Sequence, residues 1–364
     1  MKVPFLDLRV VDATERAELL AAVARVLDHG RMVMGPEVDE LEARLAALCG
    51  RRHAVAVGSG THALWLALKT LRLQPGDEVI TTALSWIATA NAIALAGGTP
   101  VFADIGDDLN IDPASVRRMV SPRTRAIVPV HYTGKMCRMD ELQQIASAHG
   151  LTLIEDAAQA FGATYRKKIA GSFGRMAAFS MNPMKVLAGC GEAGAVVTDD
   201  PELYERLVAL RYNGCVNREL CIEPALNGRI DTLEAAILLK RLDRLPALLT
   251  ARRRNAALYD TLLQGVVLTP PLSPHGEDVF YTYTIQVDRR DELKAFLESR
   301  RIETKIQHPY LMPDQPAYAR GGICEPTHAR RLQQRVLCLP IHEKLSEEQI
   351  AHVAASIKDF YRQT

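Results

Sequence analysis

An α/β fold, with a mostly parallel central sheet, helices on both of its faces and a smaller C-terminal α/β domain, is the class this sequence predicts, on three observations. From about residue 54, short apolar β-rich runs alternate with longer helical patterns, as expected of strands buried on both faces and joined by right-handed crossovers. A helical stretch, TLEAAILLKRLDRLPALLTARRRNAALYDTLL, is then long enough to connect two domains. Past the Pro- and Gly-rich loop LTPPLSPHGED, a second alternation of strand and helix begins. At 364 residues the chain suits a large domain over 1–250 and a small one over 251–364.

The elements follow in order. AVAVGSG leads into the helix THALWLALKTL, EVITTAL into SWIATANAIALAG, TPVFADI into DPASVRRMV, and AIVPVHY into MDELQQIASAHG. The apolar runs LTLIEDAA and AAFSM complete this series, and after AGAVVTDD the chain turns helical with PELYERLVALRY. In the second domain VFYTYTIQV reads as an alternating strand, RDELKAFLESRR as a helix and ETKIQ as a strand. VLCLPI precedes a last helix that starts at Ser346, where Gln349 three residues on completes a capping box.

Composition narrows the function. Lys+Arg of 44 against Asp+Glu of 43 leaves no net field to recruit nucleic acid or an anionic membrane surface. The densest basic run, Arg252 to Arg254, reads as a solvated helix face. No apolar run is long enough to span a bilayer, and the N-terminus lacks the basic-then-apolar layout of a signal peptide, so a cytoplasmic protein is expected. Seven cysteines without a CxxC pair indicate neither a disulfide framework nor a zinc or other metal site, and suggest reduced thiols packed as small apolar residues.

Ligands of parallel α/β sheets gather at the carboxyl ends of the strands. Asp156 closes LTLIED at such an edge, with Gln159 close behind it. Lys185 stands between the apolar strand AAFSM and the Gly-rich AGCGEAG, a setting poor in charge that favours the neutral amine. A lysine that condenses with an aldehyde, and a carboxylate that keeps a pyridine nitrogen protonated, are the parts needed to hold pyridoxal 5'-phosphate (PLP). Asp156 can instead cap the segment after it. Gly58–Leu64, GSGTHAL, joins a strand to a helix and offers backbone amides, with the Thr61 hydroxyl, to a phosphate. The same letters meet the loose dinucleotide pattern GxGxxA, but no ribose-binding acid closes the second strand. Trp86 either stacks on a planar ring or packs in the core, and Ser180 either reaches a phosphate oxygen or caps an element.

Taken together these residues resemble the DegT/DnrJ/EryC1/StrS family of PLP-dependent sugar aminotransferases. The resemblance runs through VPFLDL, GPEVDELEARLA, VGSGTHAL, LQPGDEVITT, EDAAQAFGA, FSMNPMK with GEAGAVVTDD, and LNGRIDTLEAA. It implies the aspartate-aminotransferase type I fold, a homodimer with active sites shared at the subunit interface, and glutamate as amino donor. It makes Lys185 the catalytic Schiff-base lysine, Asp156 the partner of the pyridine nitrogen, Gln159 the neighbour of the cofactor's phenolic oxygen and Trp86 the stacking residue. Gly60, Thr61 and Ser180 match the phosphate cradle, and Asn227 the asparagine that reaches the phosphate from the neighbouring subunit. Because Lys185 is not histidine, the resemblance implies transamination rather than the family's dehydratase chemistry.

The departures from the family lie where substrate is read. Gln307 and His308 stand at the usual His and Tyr, Pro313 at a later His, Phe280 and Tyr281 at a usual Trp-His, and Asn182 where His or Tyr is common. Asn182, Tyr281 and His308 are therefore the expected substrate-binding residues. The expected acceptor is a nucleotide-linked 3-keto or 4-keto deoxysugar, with an oxidised octulosonate or a keto-inositol as the alternative. Two other readings are a nicotinamide-dependent sugar oxidoreductase resting on GxGxxA, and a noncatalytic regulator, for which motifs that begin at residue 3 leave no room for a DNA-binding module.

Overall fold

The structure, a computed structural model, describes residues 1–319 and 326–362. Its centre is a seven-stranded sheet formed by β1 (His53–Val57), β2 (Glu78–Thr82), β3 (Thr99–Ala103), β4 (Thr124–Val128), β5 (Thr152–Asp156), β6 (Met176–Ser180) and β7 (Gly194–Thr198). They lie side by side in the order β1-β7-β6-β5-β4-β2-β3. The sheet is mixed: β7 runs antiparallel to both β1 and β6, and the remaining pairings are parallel.

The alternation of side chains explains why both faces are covered. Ala54, Ala56, Ala177, Phe179, Ala195 and Val197 point into one core, where they meet α2 (Pro36–Leu48), α5 (Pro113–Met119), α6 (Met139–His149) and the first half of α8 (Thr232–Leu263), on which α1 (Ala13–His29) also packs. Val55, Val57, Met176, Ala178 and Val196 point into the other, against α3 (Gly60–Lys69), α4 (Ala88–Leu95) and α7 (Pro201–Arg211). Successive strand residues face opposite sides, so each strand feeds two cores, and that accounts for its unbroken apolar reading.

The 32-residue α8 runs from one core into another. Leu238, Leu242 and Leu249 belong to the large core, whereas Ala256, Tyr259 and Leu263 belong to a second one. That second core gathers a two-stranded sheet, β8 (Tyr283–Gln286) with β9 (Val336–Leu339), and the helices Arg290–Ser299 and Glu347–Arg362. Val3 joins it, bridged to Ile302, so the first residues of the chain pack beside the last. The capping box is present: Ser346 N–H donates to Gln349 Oε1 at 3.1 Å and Gln349 N–H to Ser346 Oγ at 3.2 Å.

Four expectations are corrected. ETKIQ forms only an isolated bridge from Lys305 to Cys338, and the front of VFYTYTIQV is a loop in which Phe280 takes a left-handed φ of 48°. Arg252 is buried, not solvated: its guanidinium donates to the Phe280 carbonyl at 3.0 Å and the Ile341 carbonyl at 3.1 Å. The cysteines are not uniformly buried, since Cys190 and Cys221 are exposed. Among the described residues no helix is long and apolar enough to cross a membrane.

Candidate active site

Asp156 is the last residue of β5, and its main chain is fixed from both sides. Its N–H donates to the Pro129 carbonyl at 2.9 Å, and its carbonyl accepts from His131 N–H at 3.1 Å. The side chain is buried, with Oδ2 accepting from Thr89 Oγ1 at 2.7 Å and Oδ1 from Ala158 N–H at 3.2 Å. No helix follows, so the capping role is reduced to one turn amide. Burial raises the carboxyl above its ordinary range, against the pull of those two bonds and of the nearby Lys185 charge. A buried carboxylate with no ion-pair partner among the described residues, and with spare acceptor sites, is suited to a protonated ring nitrogen.

The phosphate end is built by close approach. At Gly60, the first residue of α3, an added Cβ would lie 2.5 Å from Ser180 Cβ at the end of β6. One at Gly194 would run into the Ser59 carbonyl. Two glycines thus bring the α3 N-terminus against Ser180, with Ser59 Oγ capping His62 N–H at 3.1 Å and the first amides of the helix left for an anion.

Lys185 sits in the loop between β6 and β7, in a turn closed by its N–H to the Asn182 carbonyl at 2.8 Å. The following loop crosses Glu234 of α8 closely, and a Cβ at Gly189 would collide with that carboxylate. The lysine Nζ lies 4.6 Å from the centroid of the Tyr281 ring. Tyr281 is delivered by the segment 278–282, which docks through Val279 N–H to the Gly134 carbonyl at 3.0 Å and Thr282 N–H to the Thr133 carbonyl at 3.2 Å. Gly134, at φ +91°, is required here, since a Cβ would stand 2.7 Å from Tyr281 N. A buried ion pair, Lys135 with Asp278 at 3.3 Å, and the Arg253 bond to the Asp278 carbonyl at 3.0 Å hold the same segment.

These groups converge on one cavity of about 370 Å³. Gly60, Thr61, Trp86, Asp156, Gln159, Ser180, Asn182, Lys185, Tyr281 and His308 all line it. Gln159 Oε1 accepts from Thr133 N–H at 3.0 Å, which leaves its NH₂ as the donor for a phenolic oxygen. Trp86 is 60% exposed at the mouth rather than packed in a core. His308 is buried beside it, 2.8 Å from the Tyr132 hydroxyl, and burial with the Lys185 and Lys305 charges holds its imidazole down to about 3. Asn227 does not reach this cavity; it bridges Tyr212 and accepts from Arg229 Nε at 2.8 Å.

Further wall residues were not singled out in the sequence: Ser85, Thr89, Glu192 and Lys305. Thr89 was open to detection, three residues after Trp86 in the first turn of α4. Glu192, which accepts from Asn182 Nδ2 at 2.5 Å, stands in the loop of Lys185 within GEAGAVVTDD, whereas Lys305 carries no local signal.

The dinucleotide reading fails on topology. β1, which would carry the GxGxxA turn, is an edge strand of the sheet whose one strand neighbour among the described residues is antiparallel β7, with Val57 also bridging Arg229, whereas that reading needs a central parallel strand at a switch point. The cradle and the buried carboxylate instead fit PLP, with the glycines admitting a phosphate and Asp156 facing the same cavity as Lys185.

Comparison with known proteins agrees. The model of the DegT/DnrJ/EryC1/StrS aminotransferase family matches residues 13–358. The chain is 41% identical to a dTDP-3-amino-3,4,6-trideoxy-alpha-D-glucose transaminase of Streptomyces venezuelae over 99% of this chain and 96% of the relative. It is 38% identical to a Geobacillus stearothermophilus protein named "Pleiotropic regulatory protein", over 100% and 99%. The crystal structure of S. venezuelae DesV in complex with a ketimine intermediate superposes with a TM-score of 0.95 at 41% identity, covering 99% of this chain and 98% of that one. Two further solved structures of the same fold carry the cofactor in its PMP form.

Proposed function

This chain belongs to the DegT/DnrJ/EryC1/StrS aminotransferase family and is a PLP-dependent sugar aminotransferase, and we propose that it moves an amino group from glutamate to a nucleotide-linked 3-keto or 4-keto deoxysugar. The observation that carries this reading is the convergence of Lys185, Asp156 and the Gly60–Ser180 cradle on one cavity. When bound, PLP supplies a carbonyl carbon that exchanges amino groups and a ring that withdraws electrons.

Each residue has a role in this reading. The α3 amides at Gly60 and Thr61 and the Ser180 hydroxyl hold the phosphate, and the Trp86 ring covers a face of the cofactor. Asp156, oriented by Thr89, holds a proton at the ring nitrogen. Gln159 donates to the phenolic oxygen. Lys185 Nζ binds the carbonyl carbon between turnovers, and during them takes a proton from the donor's carbon and returns one in the acceptor half. Asn182, Tyr281 and His308 face the sugar, and the neutral imidazole of His308 offers it a hydrogen-bonding nitrogen rather than a charge. The nucleotide-linked acceptor is supported by the S. venezuelae relative, whose name specifies a dTDP-sugar. The open mouth, with Lys305 on the wall, leaves room and a cation for a diphosphate.

The proposed working unit is a homodimer. Asn227 lies outside its own cavity, and the neighbouring Leu220, Ile222 and Leu226 are exposed apolar side chains, as expected of a surface that meets a second copy and lends Asn227 to that copy's phosphate.

The test begins with purified protein and PLP. Borohydride should fix the visible absorbance onto the peptide containing Lys185, and excess glutamate should convert the bound cofactor to its amine form. Protein that binds no PLP, or a label on another lysine, rejects the reading. The amine-loaded enzyme is then offered dTDP- and UDP-linked keto sugars beside free ones. Recovery of the PLP spectrum only with the free sugars would overturn the nucleotide-linked acceptor.

A further inference from the structure

We infer that Cys215 and Cys221 form a dithiol–disulfide couple, a modification site for a low-molecular-weight disulfide such as glutathione disulfide. The two residues face each other on the antiparallel strands of a short hairpin, Cys215–Val216 with Leu220–Cys221. Asn217 and Arg218, at φ 51° and 61°, reverse the chain between them.

The register fixes the kind of pairing. Ile222 N–H donates to the Gly214 carbonyl at 2.8 Å, so Gly214 and Ile222 form a hydrogen-bonded pair. Antiparallel ladders alternate, which makes the adjacent pair, Cys215 and Cys221, a non-hydrogen-bonded one. Such partners have Cα atoms about 4.5 Å apart with their side chains turned together, and disulfides span Cα distances of roughly 4.4–6.8 Å. A second observation agrees: both sulfurs approach the same acceptor, the Asn213 carbonyl, at 3.9 Å from Cys215 and 3.6 Å from Cys221. Closing the bond therefore asks for side-chain rotation rather than a new backbone path.

Access fits the chemistry. In the protomer Cys221 is exposed and Cys215 partly so, on the hairpin face opposite Leu220 and Ile222, whereas Cys49, Cys137 and Cys338 are buried. The Cys221 thiolate attacks one sulfur of glutathione disulfide, forming a mixed disulfide and releasing one glutathione thiolate. The Cys215 thiolate then attacks Cys221 Sγ and releases the second. The two protein thiols lose two electrons and two protons, and one glutathione disulfide becomes two glutathiones.

The hairpin leads directly to Asn227. Asn213 N–H donates to the Leu226 carbonyl at 3.3 Å, Tyr212 bridges Asn227, and Gly228 N–H donates to the Arg211 carbonyl at 3.0 Å. Closing the Cys215–Cys221 ring tethers the arm that carries this asparagine, and so stiffens residues 213–227.

The experiment treats the purified full-length protein with glutathione disulfide, blocks remaining thiols and digests it with trypsin without reduction. Cleavage after Arg218 separates the cysteines, so the expected product is peptide 212–218 joined to peptide 219–229, with two titratable thiols lost and both restored by dithiothreitol. Hydrogen exchange at residues 213–227 should slow in the oxidised protein. Cys221→Ser should give no joined peptides. Separate peptides bearing free or glutathione-capped thiols, a link to Cys190 or Cys324, or a covalent bond between two chains would each overturn the couple.

Discussion

Lys185 Nζ lies 4.6 Å above the Tyr281 ring, joining the loop between β6 and β7 to a segment that leads into β8. A cation over an aromatic face gains about 0.5–2 kcal/mol, and the contact also fixes where the amine points. Tyr281→Leu should therefore lower kcat by roughly 2- to 30-fold, while Tyr281→Phe, which keeps the ring face, stays close to the parent. Steady-state kinetics of the three proteins check this. Equal losses in both variants would assign the effect to the hydroxyl, which Gln307 Nε2 meets at 3.5 Å.

Asp156 and Thr89 separate charge from orientation. Asp156→Asn keeps the shape and removes the charge that holds a ring proton, and kcat should fall by about 10²–10³. Thr89→Val removes one bond to a charged group, worth about 1.5–3 kcal/mol, and should weaken cofactor retention more gently. Dialysis of the holoenzyme and single-turnover reaction with glutamate measure both. An Asp156→Asn enzyme no slower than Thr89→Val would show that the carboxylate's charge is not used.

His308 predicts a pH dependence of stability. Burial first, then the Lys185 and Lys305 charges, depress its folded value to about 3 from 6.5. Between these values the unfolded chain binds the extra proton, so stability present above pH 6.5 is lost as the pH falls toward 3. One such group contributes at most roughly 1.4 kcal/mol per pH unit within that window. Thermal unfolding from pH 7.5 to 4.5 should therefore fall less steeply for His308→Phe than for the parent. Parallel curves would mean that the imidazole titrates freely in the fold.

What the sequence discloses here is what neighbours in the chain determine. Asp156 ends an apolar run, and the setting of Lys185 is written in the residues beside it, so two residues that meet in this cavity are legible. Arg252 was misread because its partners, the carbonyls of Phe280 and Ile341, lie 28 and 89 residues away. The alternation in VFYTYTIQV suggested a strand through residues whose backbone instead turns at Phe280 to dock on Gly134. Lys305 enters the cavity by tertiary approach alone. Cys215 and Cys221 declare their relationship only once the hairpin register is known.

Gly60 and Ser180 make a steric prediction that a second substitution can check. Gly60→Ala places a methyl 2.5 Å from Ser180 Cβ, and such overpacking costs about 1–3 kcal/mol. The variant should unfold at lower urea and hold PLP weakly. Adding Ser180→Gly removes the two side-chain contacts and leaves the one to the residue's Cα at 3.0 Å, so it should recover part of the stability, but not affinity, because the hydroxyl proposed to meet the phosphate is gone. If the double variant is no more stable than Gly60→Ala, the contact is not the cause.

Arg252 tests whether the site depends on the stretch of α8 between the two cores. It does not line the cavity, yet its guanidinium spans the carbonyls of Phe280, next to Tyr281, and Ile341. Arg252→Met fills similar space but leaves two carbonyls unmet, at about 1–3 kcal/mol for each that stays buried. Loss of the Phe280 anchor also frees Tyr281 to move away from Lys185. Lower stability should therefore come with a lower kcat even in conditions where the variant is fully folded, and Arg252→Lys, which keeps the charge and fewer donors, should fall between. A folded Arg252→Met enzyme with unchanged kcat would show that the docking of segment 278–282 onto Gly134 and Lys135 suffices to place Tyr281.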